Sequence, residues 1–149
     1  MRIEEEIKQN QKFKTANEKA AVNILYTSNW LQNKQQDAFK PHGITGQQYN
    51  ILRILKGQHP KSISGTEIKS RMLDKNSDVS RLLDRLESKG LIEKRTCPSD
   101  KRATDVNITE AGLALLKLID KNQKSSTKVL NLSEEEASQL SDLLDKARK

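Results

Sequence analysis

Residues 78–116 read DVSRLLDRLESKGLIEKRTCPSDKRATDVNITEAGLALL. The hydrophobic period changes twice in this stretch. Val79, Leu82, Leu83 and Leu86 recur at i, i+3, i+4 and i+7, which is the apolar stripe of an amphipathic helix. Gly90 supplies the left-handed residue that ends such a helix. Two short runs, LIEKRT (91–96) and TDVNI (104–108), then alternate apolar and polar residues as half-buried strands do. CPSDKRA between them holds Pro98 and turn formers and predicts a long hairpin tip. Thr109 then caps another helix, with Leu113, Leu116 and Ile119 facing inward.

Upstream, KPHGIT (40–45) breaks the chain. Thr45 and Gln48 form a capping box for a helix carrying Ile51, Leu52 and Leu55. GQHPKSI ends it. Ser64 and Glu67 form a second capping box, opening a short helix over SGTEIKSRML with Ile68 and Met72 inward. Asn76 is placed to cap the helix of the opening stretch. Two helices joined by a short turn and followed by a hairpin make a winged helix-turn-helix. That topology offers the second helix to a major groove and the hairpin tip to the neighbouring backbone or minor groove.

The chemistry of that helix agrees. With its leucines inward, Ser77, Asp78, Ser80, Arg81 and Arg85 are expected on or near its outer face. Arg81 is the leading candidate for base readout, because a guanidinium fork matches the two major-groove acceptors of guanine. Ser77 and Ser80 suit phosphates or bases, and Asn76 suits a cap or a phosphate. Between Lys75 and Arg102, eight basic against five acidic side chains leave a net +3. Arg85 beside Asp84, and Lys89 near Glu87, also fit a solvated face of helix-spaced ion pairs. Both readings stay open for those residues.

The flanks are helical. Residues 3–39 read as one long helix, with Phe13, Ala20, Ile24, Leu31 and Ala38 at helical spacing and no Pro or Gly before Pro41. Its stripe is too apolar for water and too long for one small lobe to cover, so a partner helix is expected. At the other end, Ser133 and Glu136 form a capping box for a helix striped by Ala137, Leu140, Leu144 and Ala147. The expected fold is mainly α with a small β-hairpin wing, a winged helix-turn-helix with N- and C-terminal dimerisation helices. Residues 1–40 are assigned to the N-terminal dimerisation helix, 41–108 to the winged lobe, and 109–149 to the C-terminal dimerisation helices.

Composition narrows the function. Among 149 residues, 27 Lys and Arg against 20 Asp and Glu give a net charge of +7, which suits a polyanionic partner without dictating a fold. Aromatics make up only 3%, too few for a stacking platform for single strands. The single cysteine, Cys97, excludes an intramolecular disulfide and a thiolate metal cluster. Neither His42 nor His59 has a second ligand at useful spacing, so no metal and no cofactor are expected. No run has the length of a membrane span or the apolar core of a signal peptide, and a cytoplasmic protein is expected.

The whole run from Asp78 to Leu116 resembles the winged helix-turn-helix core of the MarR family of bacterial transcription regulators. Asp100, Lys101 and Arg102 match the Asp-x-Arg wing motif of that family, and Ile108-Thr109 matches the pair that follows it. The resemblance extends over nearly the whole chain, since the long first helix and the last two helices match the family's dimerisation region. It implies that Arg102 enters a minor groove while Asp100 shapes the wing. A narrow A·T-rich minor groove has a strong negative potential that attracts arginine. Lys94, Arg95 and Lys101 would then contact phosphate.

The resemblance further implies a homodimer on double-stranded DNA. It would read a pseudopalindrome with half-sites about 10 bp apart and act as a repressor. It also implies a small organic effector, with Tyr26, Trp30, His42 and Tyr49 as candidate lining residues. Aromatics at helical spacing equally fit a core or an interface. The peroxide-sensing branch keeps its cysteine in the first helix, and this chain has none there. Cys97 sits near Arg95, which can lower a thiol pKa, though a passive residue is the plainer assignment. An enzyme is not expected, for there is no glycine-rich phosphate loop or nucleophile motif. Glu4-Glu5-Glu6 and Glu134-Glu135-Glu136 are acids that suit helix starts. The rival to a DNA-binding regulator is a winged-helix protein-interaction module, since fold alone does not assign function.

Overall fold

The computed structural model describes residues 1–97, 100–124 and 129–149, and of residues 97, 100–103 and 124 the backbone alone. Seven α-helices and three strands are described: α1 (Ile3–Glu6), α2 (Ala16–Phe39), α3 (Gly46–Gln58), β1 (Ile63–Ser64), α4 (Gly65–Arg71), α5 (Val79–Ser88), β2 (Ile92–Cys97), β3 (Asp100–Ile108), α6 (Glu110–Lys124) and α7 (Glu134–Ala147). A 3-10 turn, Lys40–His42, separates α2 from α3.

The long helix expected over 3–39 is two helices. Residues 7–15 leave helical geometry: Lys8 has a φ of +53°, and Thr15 caps a fresh start by accepting the Glu18 N–H at 3.0 Å. The polar run QNQKFK offers no apolar face to hold a helix, so a local side-chain cap wins. The α1 turn folds back on α2. Ile3 is buried, Glu4 pairs with Lys19 at 2.5 Å, and the Tyr26 hydroxyl donates to Glu6 at 2.9 Å.

The sheet is antiparallel in the order β1–β3–β2. The third strand, β1, pairs Ile63 with Val106 and Ser64 with Asp105. Two residues between a helix end and a helix cap are too short for an alternating pattern to announce them. The wing is also longer than the sequence suggests. Ladder pairing runs from Ile92–Ile108 to Thr96–Thr104, and then Cys97 pairs with Asp100. Lys101, Arg102 and Ala103 are therefore three extra residues on β3, a bulge near the hairpin end.

A single core joins these elements. Phe39 from the end of α2, Ile51 and Leu55 from α3, Ile68 from α4, Leu86 from α5, Val106 from β3, and Leu116 and Ile119 from α6 are all buried. The α5–β2 turn that carries the wing is a Schellman motif. Gly90 takes φ +73°, its N–H reaches the Glu87 carbonyl, and the Leu91 N–H reaches the Leu86 carbonyl. Thr109 then ties the start of α6 to that turn, with its N–H on the Leu91 carbonyl and its hydroxyl on the Gly90 carbonyl.

Outside this core the terminal helices lie bare. No residue of α7 is buried; Leu140 and Leu143 are exposed, as are Ile24, Leu25 and Trp30 of α2. No described helix is long and apolar enough to cross a membrane.

Candidate nucleic-acid interface

The turn between α4 and α5 sets the attitude of α5, and α3 holds that turn. The Asn50 side-chain oxygen accepts the Leu73 N–H at 2.9 Å, and the Gln47 amide donates to Asp74 at 3.2 Å. Asp74 folds the turn in its own right, accepting the Asn76 N–H on its carboxylate at 2.9 Å and the Ser77 hydroxyl on its carbonyl at 2.8 Å. Two expectations are corrected here. The N-cap of α5 is Asp78, which accepts the Arg81 N–H at 3.2 Å; Asn76 lies two residues too early because it belongs to the Asx turn. Ser77, expected on the outer face, is only 3% exposed and spends its hydroxyl on Asp74.

The rest of α5 presents the face its periodicity implies. Val79, Leu82, Leu83 and Leu86 are buried, while Ser80, Arg81, Asp84 and Arg85 face solvent. Asn76 is exposed at the entrance to the helix. Between α4, the α5 N-terminus and the wing runs an open groove of about 500 Å³, lined by Thr66, Lys69, Asn76, Ser80, Asp84 and Thr104 among others. Its lining mixes hydroxyls, the Asn76 amide, lysines and the Asp78 and Asp84 carboxylates with Val79 and Leu83 at the base of α5.

Lys94 differs from expectation. Its ammonium pairs with the Asp84 carboxylate and lies 3.8 Å from Glu87, and its side chain is 21% exposed. The Lys94 backbone N–H also donates to Glu87 at 3.2 Å. Within the lobe this cation already has two carboxylate partners. Strand alternation carried the signal. Lys94 shares the parity of buried Ile92, so it points to the α5 side of the sheet. Arg95, of opposite parity, is exposed. The backbone of Asp100, Lys101 and Arg102 belongs to β3, while their side chains, and that of Cys97, lie outside those described.

The four candidate effector residues do not converge within one protomer. Tyr26 and Trp30 line a groove between α1 and α2. Neither His42 nor Tyr49 lines it; Tyr49 stacks on Phe39 with ring centroids 4.4 Å apart. Lys34 sits 5.1 Å above the Trp30 ring and donates to the Val129 carbonyl. The hydroxyl of Tyr26 ionises less readily than usual, because it donates to the Glu6 carboxylate. Among the described residues no group of three His, Cys, Asp or Glu side chains is placed to hold a metal ion.

Three helices leading into a two-stranded wing, with an exposed polar and cationic face on the last of them, define a winged helix-turn-helix protein. The MarR family model matches residues 44–104. The regulator MhqR of Bacillus subtilis is 30% identical over 107 residues, covering 69% of this chain and 71% of that protein. The regulator PecS of Dickeya dadantii is 27% identical over 114 residues, 74% of this chain and 69% of its own length. A mutant MarR from Escherichia coli, solved in complex with operator DNA, superposes with a TM-score of 0.67 at 25% identity, covering 86% of this chain and 95% of that one. The chain belongs to the MarR family of transcriptional regulators.

Proposed function

We propose that two copies of this chain bind one pseudopalindromic stretch of duplex DNA and repress transcription by occluding it. The observation that carries the proposal is the outer face of α5, where Ser80, Arg81 and Arg85 are exposed on a helix whose opposite face is locked into the core. A helix held this way meets a major groove as a rigid unit, so binding costs little ordering. Arg81 would read a base edge, and Asn76, Ser80, Arg85 and Arg95 would contact base edges or phosphates near it. Asp100, Lys101 and Arg102 enter by resemblance as the wing motif, with Arg102 in the minor groove. Ser77 and Lys94 are left out, because both are engaged within the lobe.

Residues 41–108 act as the DNA-binding lobe, and 1–40 with 109–149 as the dimer region. Support for the dimer comes from Leu140 and Leu143 on α7 and Ile24, Leu25 and Trp30 on α2, apolar side chains that a lone protomer leaves in water. A cytoplasmic location follows from a genomic target. A small organic effector belongs to the proposal, with Tyr26 and Trp30 on the α1–α2 groove as its first contacts.

Selection of bound duplexes from a random pool tests the proposal. Enrichment of an inverted repeat with half-site centres about 10 bp apart is the expected result. Uniform recovery of all sequences, with weak binding, would favour the protein-interaction module instead.

A further inference from the structure

We infer that Lys94 is a positioning residue that sets the angle between the wing and the recognition helix, and through it the specificity of DNA binding. The inference rests on the proposal that this face binds duplex DNA. β2 is an edge strand of the sheet. Its outer edge at Lys94 is covered by α5: the Lys94 N–H donates to one Glu87 oxygen at 3.2 Å, and the ammonium lies 3.8 Å from the other. The same ammonium pairs with Asp84, one turn back along α5. One residue thus joins wing and helix through backbone and side chain together.

The two carboxylates stand on the helix that would enter the groove. Lys94 offsets one of their two charges and fixes the strand that leads to Asp100, Lys101 and Arg102. A lysine already shared between two acids releases no counterion when DNA arrives, so it adds nothing to the salt dependence of binding. It acts instead on register: wing contacts and α5 contacts fall on the duplex together only if the angle between them is held.

Binding of the intact dimer to an enriched duplex and to a scrambled duplex of equal length, across a salt series, tests this. If wild type does not prefer the enriched duplex, the DNA-binding proposal fails and the inference falls with it. Failure of the inference alone leaves that preference intact. With Lys94→Met, the salt slope should match wild type while the preference for the enriched duplex drops about fivefold, the scale of a good partly exposed ion pair. Lys94→Arg should keep the preference. Asp84→Asn, a change at an exposed side chain that leaves the fold intact, should lower the preference too, and its effect should not add to that of Lys94→Met. A slope reduced by about one in Lys94→Met would make Lys94 a phosphate contact and overturn the inference. Unchanged slope and unchanged preference in Lys94→Met would overturn it as well.

Discussion

Gly112→Ala should destabilise the protein, against the usual sense of a glycine-to-alanine change in a helix. In an open helix position that change gains up to about 1 kcal/mol. At Gly112 a Cβ would stand 2.4 Å from the Leu91 carbonyl oxygen and 2.6 Å from Ile108 Cγ1. The Leu91 carbonyl cannot move aside freely, because it accepts the Thr109 N–H at the start of α6. Overpacking against fixed neighbours costs about 3 kcal/mol at the upper end of its usual range. Subtracting the propensity gain leaves a net loss of about 2 kcal/mol, or roughly 4–8 °C in Tm for a chain of this length. Gly57→Ala is the control: it lies in the last turn of α3 with nothing within 4 Å of the added carbon. It should be neutral or stabilising by about 0.5 kcal/mol. Urea unfolding at one fixed protomer concentration measures both, since dimer dissociation would otherwise enter the result. A Gly112→Ala variant as stable as wild type would show that α6 does not seat against the α5–β2 turn, and the placement of the wing base would be wrong.

Asp78→Ala should cost about 1 kcal/mol through loss of the α5 cap, while Asn76→Ala should change stability by no more than about 0.5 kcal/mol; thermal unfolding separates the two. Leu143→Glu should weaken self-association by about tenfold or more, read by sedimentation, and leave the circular dichroism of the lobe unchanged. The Glu136 carboxyl is held below the ordinary range first by the Ser133 N–H and then by the Ser133 side chain. Its contribution to α7 should therefore be complete above the unfolded value of about 4.3 and be lost as pH falls through the lower folded value. Carbon NMR titration should find Glu136 protonating at lower pH in wild type than in Ser133→Ala, which removes the side-chain hydrogen bond.

The lobe was legible because its helices and strands obey one period each. The capping box at Thr45, the Gly90 stop and the α5 stripe all stand where the sequence indicates, as does the box at Ser133 outside the lobe, whereas at Ser64 only the bond from the Glu67 N–H forms and the return bond of the expected box does not. Three features were not legible, each for a physical reason. The split of the first helix turns on a local cap at Thr15 in a run with no apolar face. Strand β1 exists through pairing with β3 across about forty residues, which no local pattern encodes. The Asx turn at Asp74 competes with helix capping for the same residue types, and so hides which of Asn76 and Asp78 starts α5 and that Ser77 points inward. The Lys94 pairing could have been read from parity with Ile92. The two acids that hold it needed the fold.

The most direct test of duplex recognition by α5 is the affinity of wild type and Arg81→Ala for the enriched and scrambled duplexes, each across a salt series. Wild-type affinity for the enriched duplex should fall steeply with salt, as for a protein neutralising several phosphates. Arg81→Ala should lose about 1–3 kcal/mol on the enriched duplex and little on the scrambled one. Equal losses on both duplexes would make Arg81 a phosphate contact only, and no loss on either would contradict the assignment of α5 as the reading helix.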